Sequence, residues 1–154
     1  MTQATSPASV SKERAREAMA RFVAVWEQGE LAAVDEIFSK DLTYHAPPFP
    51  DMGRDGFRDF VDSFRAGFTE IHVQMQEHLV DGATSVHRWT VEAVLSGTTP
   101  LLPGVEATGK RTTGEGAHVL HWSGDEVSEA WHFGDWLGWL TKAGVLPPMP
   151  GTGA

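Results

Sequence analysis

The stretch IHVQMQEHLVDGATSVHRWTVEAVL, residues 71–95, decides the fold. Residues 71–75 alternate between apolar and polar side chains, which is the period of a half-buried strand. An Asp-Gly pair at 81–82 is a turn signal, and the β-branched and aromatic residues of 85–95 are typical of a second strand. The stretch therefore predicts two consecutive antiparallel strands.

Towards the C-terminus the chain predicts two more strands, over 111–122 and 127–133, and then a helix over 136–143. The four strands in succession form an antiparallel meander. The connection GTTPLLPGVEATG, residues 97–109, is too long for a tight hairpin, and we expect it to form a lid or mouth loop.

Towards the N-terminus the period becomes helical. Apolar residues at three- and four-residue steps predict a helix from a cap at Ser9 or Ser11 to Gly29, and a short second helix follows. A short strand over 42–46 precedes a third helix over 55–67. The predicted fold is α+β, with a cone-like curved antiparallel β-sheet wrapped around three N-terminal helices and a central pocket between them.

Length and composition exclude several classes of protein. The 154 residues predict one domain, 11–146, between flexible tails at 1–10 and 147–154. The absence of cysteine excludes thiol catalysis, and the net charge of −9 argues against nucleic acid as a partner. The sequence has no apolar run as long as a membrane span and no signal peptide, so we expect a cytoplasmic protein that does not bind membranes.

Four motifs carry a resemblance to a known family. They are DLTYH at 41–45, GRDGF at 53–57, RWT at 88–90, and GDEVSEAW at 124–131 followed by Asp135 and Gly138. In order and spacing they resemble the SnoaL-like polyketide cyclases and their ester-cyclase relatives, which belong to the nuclear-transport-factor-2-like superfamily. The resemblance extends over about residues 15–146.

The resemblance implies a cyclase without a cofactor, which closes a ring of a small aromatic polyketide ester by an intramolecular aldol reaction. The family's acid/base Asp falls on His132, the His of its preceding strand on His118, and the Asn of its first strand on Tyr44. Imidazole in place of a carboxylate departs from the family pattern. An epoxide-opening cyclase or hydrolase is therefore an alternative on the same fold, cofactor-free hydroxylation is a third, and a non-catalytic small-molecule binding protein is a rival of another class.

The residues around His132 support a role for its imidazole. On a strand Ser128, Ala130 and His132 share one face, and the two small residues leave space beside the ring. An imidazole with an ordinary pKa near 6.5 can take or give a proton at neutral pH. The alternative is a core histidine that is hydrogen-bonded to a backbone carbonyl.

Further candidates each have two readings. Asp135 either orients the imidazole or caps the last helix. Tyr44 and His45 alternate on the first strand, so only one of them faces the pocket. Tyr44 could stabilise an oxyanion there, and His45 could either bind the substrate or hold the loop at Pro47. His87 could be a polar group of the cavity or exposed to solvent.

The six tryptophans divide by position. Trp89 and Trp122 are predicted to stack on a flat substrate, whereas the spacing of Trp26, Trp136 and Trp139 predicts packing in the helical core. Trp131, on the outer face of the sheet, suggests a homodimer through that face.

The pair His118-x-x-His121 resembles a metal motif only in its spacing. Residues three apart on a strand project to opposite faces, so these two side chains do not converge on one ion. We predict no metal.

Overall fold

The computed structural model describes residues 9–152. Its elements in chain order are α1 (Lys12–Gln28), α2 (Ala33–Ile37), β1 (Phe38–His45), α3 (Arg54–Gly67), β2 (Phe68–Asp81), β3 (Thr84–Leu95), β4 (Arg111–Ser123), β5 (Glu126–Gly134) and α4 (Trp136–Lys142). The α+β class, the three helices before the long strands and the four-stranded meander are confirmed. β1 begins at Phe38, four residues before the predicted start.

The five strands form one sheet in the order β1-β5-β4-β3-β2. The meander β2 to β5 is antiparallel, but β1 pairs with β5 in parallel. The sequence did not predict this parallel pair. It arises because α3 and the whole meander separate the two strands in the chain, which leaves room for a crossover.

The curvature of the sheet coincides with irregularities in β2. The pairing of β2 with β3 shifts register between Thr69 and His72, and again between Met75 and Glu77. Bulges bend a strand and increase its twist. Glu70, inside the first shift, has a φ of 50°, which is unusual for a residue other than glycine. The bend turns the concave face of the sheet towards the helices.

Local signals fix α1 as predicted. The Ser11 side chain accepts a hydrogen bond from the N–H of Arg14 at 3.0 Å, and Gly29 ends the helix with a φ of 73°. The buried face of α1 packs against β2, with Phe22 and Trp26 among its buried residues.

The two predicted tails are described only in part. Val10, which the prediction places in the N-terminal tail, is 6% exposed and donates its N–H to the carbonyl of Gly82. Residues 1–8 and 153–154 lie outside the described residues, whereas 147–152 are described and exposed.

The long connection between β3 and β4 differs from the expected lid. Thr99 is buried and its hydroxyl donates to the carbonyl of Ser63, while Ser96 and Gly97 donate to the carbonyl of Gly67. The connection therefore packs on the C-terminal end of α3, and none of residues 96–110 lines the central cavity.

Candidate active site

A central cavity lies between the concave face of the sheet and helices α1, α3 and α4. Its empty space, counted together with the open solvent at its mouth, is about 630 Å³. Strand β2 contributes the aliphatic side chains that alternate along it, and the cavity also has seven aromatic side chains: Phe22, Trp26, Phe60, Phe64, Trp89, Trp136 and Trp139. Four titratable residues line it. Glu115 and Asp135 are exposed, whereas His118 and His132 are buried.

His132 presents the one unpartnered imidazole nitrogen of this wall. Its side chain is buried, and among residues 9–152 its Nε2 atom has no hydrogen-bond partner. Glycine is required next to this atom, because a Cβ added at Gly134 would lie 2.8 Å from Nε2. A buried polar atom without a partner is costly, so Nε2 is the ring nitrogen that is left to bond a ligand, although the atom is itself buried and a ligand has to displace its neighbours to reach it.

His118 and Tyr44 hold the other side of the His132 ring. Tyr44 Oη lies 2.8 Å from His118 Nε2 and 3.4 Å from His132 Nδ1, and the two imidazoles approach to 3.1 Å between His118 Nε2 and His132 Nδ1. β1 and β4 lie on either side of β5, and on β5 the register partner of Tyr44 is Ala130. The small Ala130 leaves room for the phenol to reach across.

Trp89 completes the group from β3. Its Nε1 donates to His118 Nδ1 at 2.8 Å. The indole can lie there because its neighbour on β4 is Gly116, where an added Cβ would come within 2.5 Å of the Trp89 ring.

Burial governs the ionisation of these groups. It lowers the pKa of His132 to about 4, and it lowers the pKa of His118 well below the ordinary value, with a smaller contribution from the neighbouring His132. Burial also raises the pKa of the Tyr44 hydroxyl. At neutral pH the two imidazoles and the phenol are therefore uncharged.

Asp135 is a helix cap. Its Oδ1 accepts the N–H of Gly138 at 2.8 Å at the start of α4, and no hydrogen bond joins it to His132. Of the two readings from the sequence, the structure matches the cap.

The comparisons with known proteins agree with this architecture. The sequence profile of the SnoaL-like polyketide cyclases matches residues 16–142. The chain belongs to the SnoaL-like polyketide cyclase family. The resemblance carried by the four sequence motifs is thereby confirmed.

Solved structures with the fold of this SnoaL-like protein come from several bacteria. TsrD from Streptomyces laurentii is 20% identical, with a TM-score of 0.77 over 89% of this chain and 99% of that one. AclR from Streptomyces galilaeus, a provisionally assigned hydroxylase, is 19% identical, with a TM-score of 0.77 over 92% and 87%. A provisionally assigned polyketide cyclase from Acidithiobacillus ferrooxidans is 24% identical, with a TM-score of 0.70 over 93% and 97%. No curated protein matches the sequence.

Three of the predicted substrate-binding residues of this SnoaL-like protein do not line the cavity. Trp122 is buried, donates its Nε1–H to Ser85 Oγ at 2.8 Å and has the guanidinium of Arg14 over its ring. His87 is buried but bonded to the same Ser85 Oγ at 2.8 Å and to His78 at 2.7 Å. Both residues belong to a separate polar cluster in the sheet.

His45 faces away from the cavity. Its ring nitrogens lie 2.8 Å from Asp51 and 2.9 Å from Glu129, so it ties the loop after β1 to β5. This matches the second reading of His45 from the sequence. Trp131 stacks on His45 at 5.2 Å and meets His121 edge-on at 4.7 Å, which places all three on the outer face. The homodimer through that face stays a prediction, which sedimentation would test.

Three tryptophans that the sequence predicts to pack in the helical core also form part of the cavity wall. Trp26, Trp136 and Trp139 pack in or against the core as predicted, and all three line the cavity beside Trp89. Helical spacing identifies an inward face, but it does not distinguish a packed core from a cavity wall. The position of Trp136 directly after the Asp135 of the family ending was the available signal.

Two further properties follow from the described residues. Within 9–152 no three His, Asp or Glu side chains converge as they would around a metal ion. In the same part of the chain no helix has the length and apolar character needed to span a membrane.

Proposed function

We propose that this protein is a cofactor-independent cyclase of secondary metabolism, which closes a ring in a polyketide-derived substrate by an acid/base-catalysed, aldol-type reaction. One observation carries the proposal: a buried imidazole, that of His132, has an unpartnered Nε2 atom at the wall of an aromatic cavity. Membership of the SnoaL-like family supports it.

The wall of the cavity favours a flat, uncharged substrate. Four indoles and the imidazoles of His118 and His132 line it together with phenylalanines, and its carboxylates among residues 9–152, those of Glu115 and Asp135, are exposed. Flat rings stack on aromatic side chains, whereas a charged group in the interior would lose its hydration without a charged partner. A fused-ring or aryl ketone ester fits this environment.

The proposed reaction is redox-neutral. A carbon next to a carbonyl loses its proton and forms a C–C bond to a second carbonyl carbon of the same molecule. The electron pair of that carbonyl moves to its oxygen, which takes up a proton. We assign one of these proton transfers to His132, and the contacts of His118 and Tyr44 with its ring support this assignment.

The assay that tests this proposal measures turnover of a panel of aromatic β-keto esters by the parent protein and by His132→Ala and His132→Asp. We expect the parent to convert at least one ester to a cyclic product, and His132→Ala to lose about 100-fold or more in rate. The control is His121→Ala, an exposed histidine on the outer face of β4, which should convert at the parental rate. Parental rates in both His132 variants would refute the acid/base assignment.

An epoxide-opening reaction is the second candidate, because the same imidazole could protonate an epoxide oxygen and the exposed carboxylates of Glu115 and Asp135 lie on the same cavity wall, open to water. The products separate the two reactions. Aldol closure without loss of water keeps the mass of the substrate and converts a carbonyl to an alcohol. Epoxide hydrolysis adds one water, and cyclisation by epoxide opening keeps the mass but leaves every carbonyl in place. Ester binding without conversion, in the parent as in the variants, would indicate a binding protein.

A further inference from the structure

The hydrogen bond between Trp89 and His118 has a direction that chemistry imposes. An indole Nε1–H can only donate, and it lies 2.8 Å from His118 Nδ1. The Nδ1 atom therefore presents its lone pair to Trp89. His118 is then a neutral imidazole whose single ring hydrogen is on Nε2.

The hydrogen on His118 Nε2 faces two possible acceptors. Tyr44 Oη is 2.8 Å away and His132 Nδ1 is 3.1 Å away. If Tyr44 accepts this hydrogen, its own hydroxyl hydrogen has His132 Nδ1, at 3.4 Å, as its remaining partner in the group. In either arrangement the groups that face His132 Nδ1 are donors.

The opposite tautomer of His132 is disfavoured by its surroundings. A hydrogen on His132 Nδ1 would either point at the hydrogen on His118 Nε2 across 3.1 Å or have the Tyr44 oxygen at 3.4 Å as its acceptor, which would leave the Tyr44 hydroxyl hydrogen without a partner in this group. The favourable arrangement has a lone pair on Nδ1 and the hydrogen on Nε2, the atom that has no partner among residues 9–152.

We infer that Trp89 is a positioning residue which, through His118, fixes the tautomer of His132 so that its Nε2–H is a hydrogen-bond donor to the ligand. The polar atom of the ligand at this position is then an acceptor without a positive charge, such as a carbonyl oxygen. For the identity of that oxygen the inference rests on the proposed function. It assigns His132 to the carbonyl oxygen that becomes the alkoxide, and not to the carbon that loses its proton.

The tautomers can be measured without a substrate. Protein labelled with ¹⁵N at histidine and tryptophan gives ring nitrogen shifts that separate protonated from unprotonated atoms, with His118→Gln and His132→Gln used for assignment. At pH 7 we expect protonated Nε2 and unprotonated Nδ1 in both residues. A ¹⁵N–¹⁵N coupling across the hydrogen bond should join Trp89 Nε1 to His118 Nδ1. An unprotonated His132 Nε2, an imidazolium, or no such coupling would overturn the inference.

The variant Trp89→Phe removes the donor and keeps an aromatic ring. We expect both histidines to become mixtures of tautomers, with a measurable population of Nδ1–H. The matched control is Trp122→Phe, which removes a buried indole on the same strand as His118 that is bonded to Ser85 instead. The control should leave both tautomers unchanged. Unchanged tautomers in a folded Trp89→Phe protein would show that Trp89 does not position His118. If that variant does not fold, the coupling between Trp89 Nε1 and His118 Nδ1 in the parent protein tests the role of Trp89 instead.

This test and the turnover assay fail independently. Absence of conversion by the parent would end the proposed function, and parental turnover by His132→Ala would end the acid/base role of His132, without altering the nitrogen shifts of the resting protein. An unprotonated Nε2 in the parent would end the inference and would leave His132 available as a base.

Discussion

The hydroxyl of Tyr44 on β1 lies 2.8 Å from Nε2 of His118 on β4, although 74 residues separate the two in the chain and β5 lies between their strands. This contact spans the sheet above Ala130 and holds the back of the His132 ring. It links β1 to the meander through side chains, on the side of the sheet where β1 also pairs with β5 in parallel.

Removing that hydroxyl should weaken both the fold and the reaction. Tyr44→Phe leaves a buried imidazole N–H with a single acceptor, so we expect the free energy of unfolding to fall by about 1–2 kcal/mol, measured by urea denaturation. Turnover should fall about tenfold, because an ordering partner of His132 is lost. The control is Thr112→Val, which removes a buried hydroxyl bonded to the carbonyl of Trp139 at 2.6 Å. A comparable loss of turnover in the control would mean that Tyr44 acts only through stability.

A methyl group at Gly134 should obstruct the ligand atom of His132. The added Cβ would lie 2.8 Å from Nε2, so Gly134→Ala has to displace the ring or occupy its hydrogen-bonding position. We expect turnover to fall at least as far as in Tyr44→Phe. In Gly53→Ala, by contrast, the added Cβ meets only the carbonyl of Leu42 at an ordinary 3.7 Å, and turnover should stay at the parental level. Equal turnover of the two alanine variants would contradict the proposal that the ligand is bound at His132 Nε2, beside Gly134.

Variants of Asp135 should separate capping from catalysis. Asp135→Ala removes the acceptor for the N–H of Gly138 and should cost about 1 kcal/mol of stability, whereas Asp135→Asn keeps an acceptor and should cost less. Since Asp135 makes no hydrogen bond to His132, the aldol rate of the folded protein should change little in both. Chemical denaturation and turnover at a temperature well below unfolding provide the two readouts. A large loss of turnover in a fully folded Asp135→Asn protein would support the alternative hypothesis, that Asp135 orients the imidazole of His132.

The buried histidines should make the fold sensitive to mild acid. Burial lowers the pKa of His87 and of His132 to about 4, so between pH 6.5 and 4 the unfolded chain binds protons that the native state does not. Stability is therefore fully present above pH 6.5 and is lost as the pH falls. Each group should remove about 1–2 kcal/mol by pH 5, which denaturation at a series of pH values would show. His132→Gln should reduce this dependence of stability on pH. An identical pH profile in that variant would contradict the lowered pKa of His132.

For His45, on the outer face of the sheet, the dependence of stability on pH should have the opposite sign. The hydrogen bond with Glu129, followed by the effects of Asp51, raises the pKa of His45 above its ordinary value. The stabilisation that this provides is fully present below about pH 6.5 and is lost as the pH rises through the raised native pKa. His45→Gln should remove this alkaline loss of stability and leave the acid loss intact. NMR titration of the ring gives the direct check, and a native pKa at or below the ordinary value would refute it.

The sequence by itself determined which faces the strand residues occupy. Successive side chains of a strand point to opposite sides, and this depends only on local backbone geometry. The period therefore predicts that Tyr44 and His45 lie on opposite faces, and likewise His118 and His121. The structure places Tyr44 and His118 inside. The N-cap of α1 at Ser11 and its end at Gly29 likewise depend only on local sequence.

Which of the inward-facing indoles line the cavity, and which are hydrogen-bonded elsewhere in the core, is a property of the tertiary structure. Trp89 and Trp122 face inward from neighbouring strands, yet one indole N–H reaches His118 and the other reaches Ser85. Trp136 packs against the helical core as predicted and also lines the cavity. The difference depends on where the bulged sheet bends and where the helices pack on it. These are distances between segments far apart in the chain, and no local period encodes them.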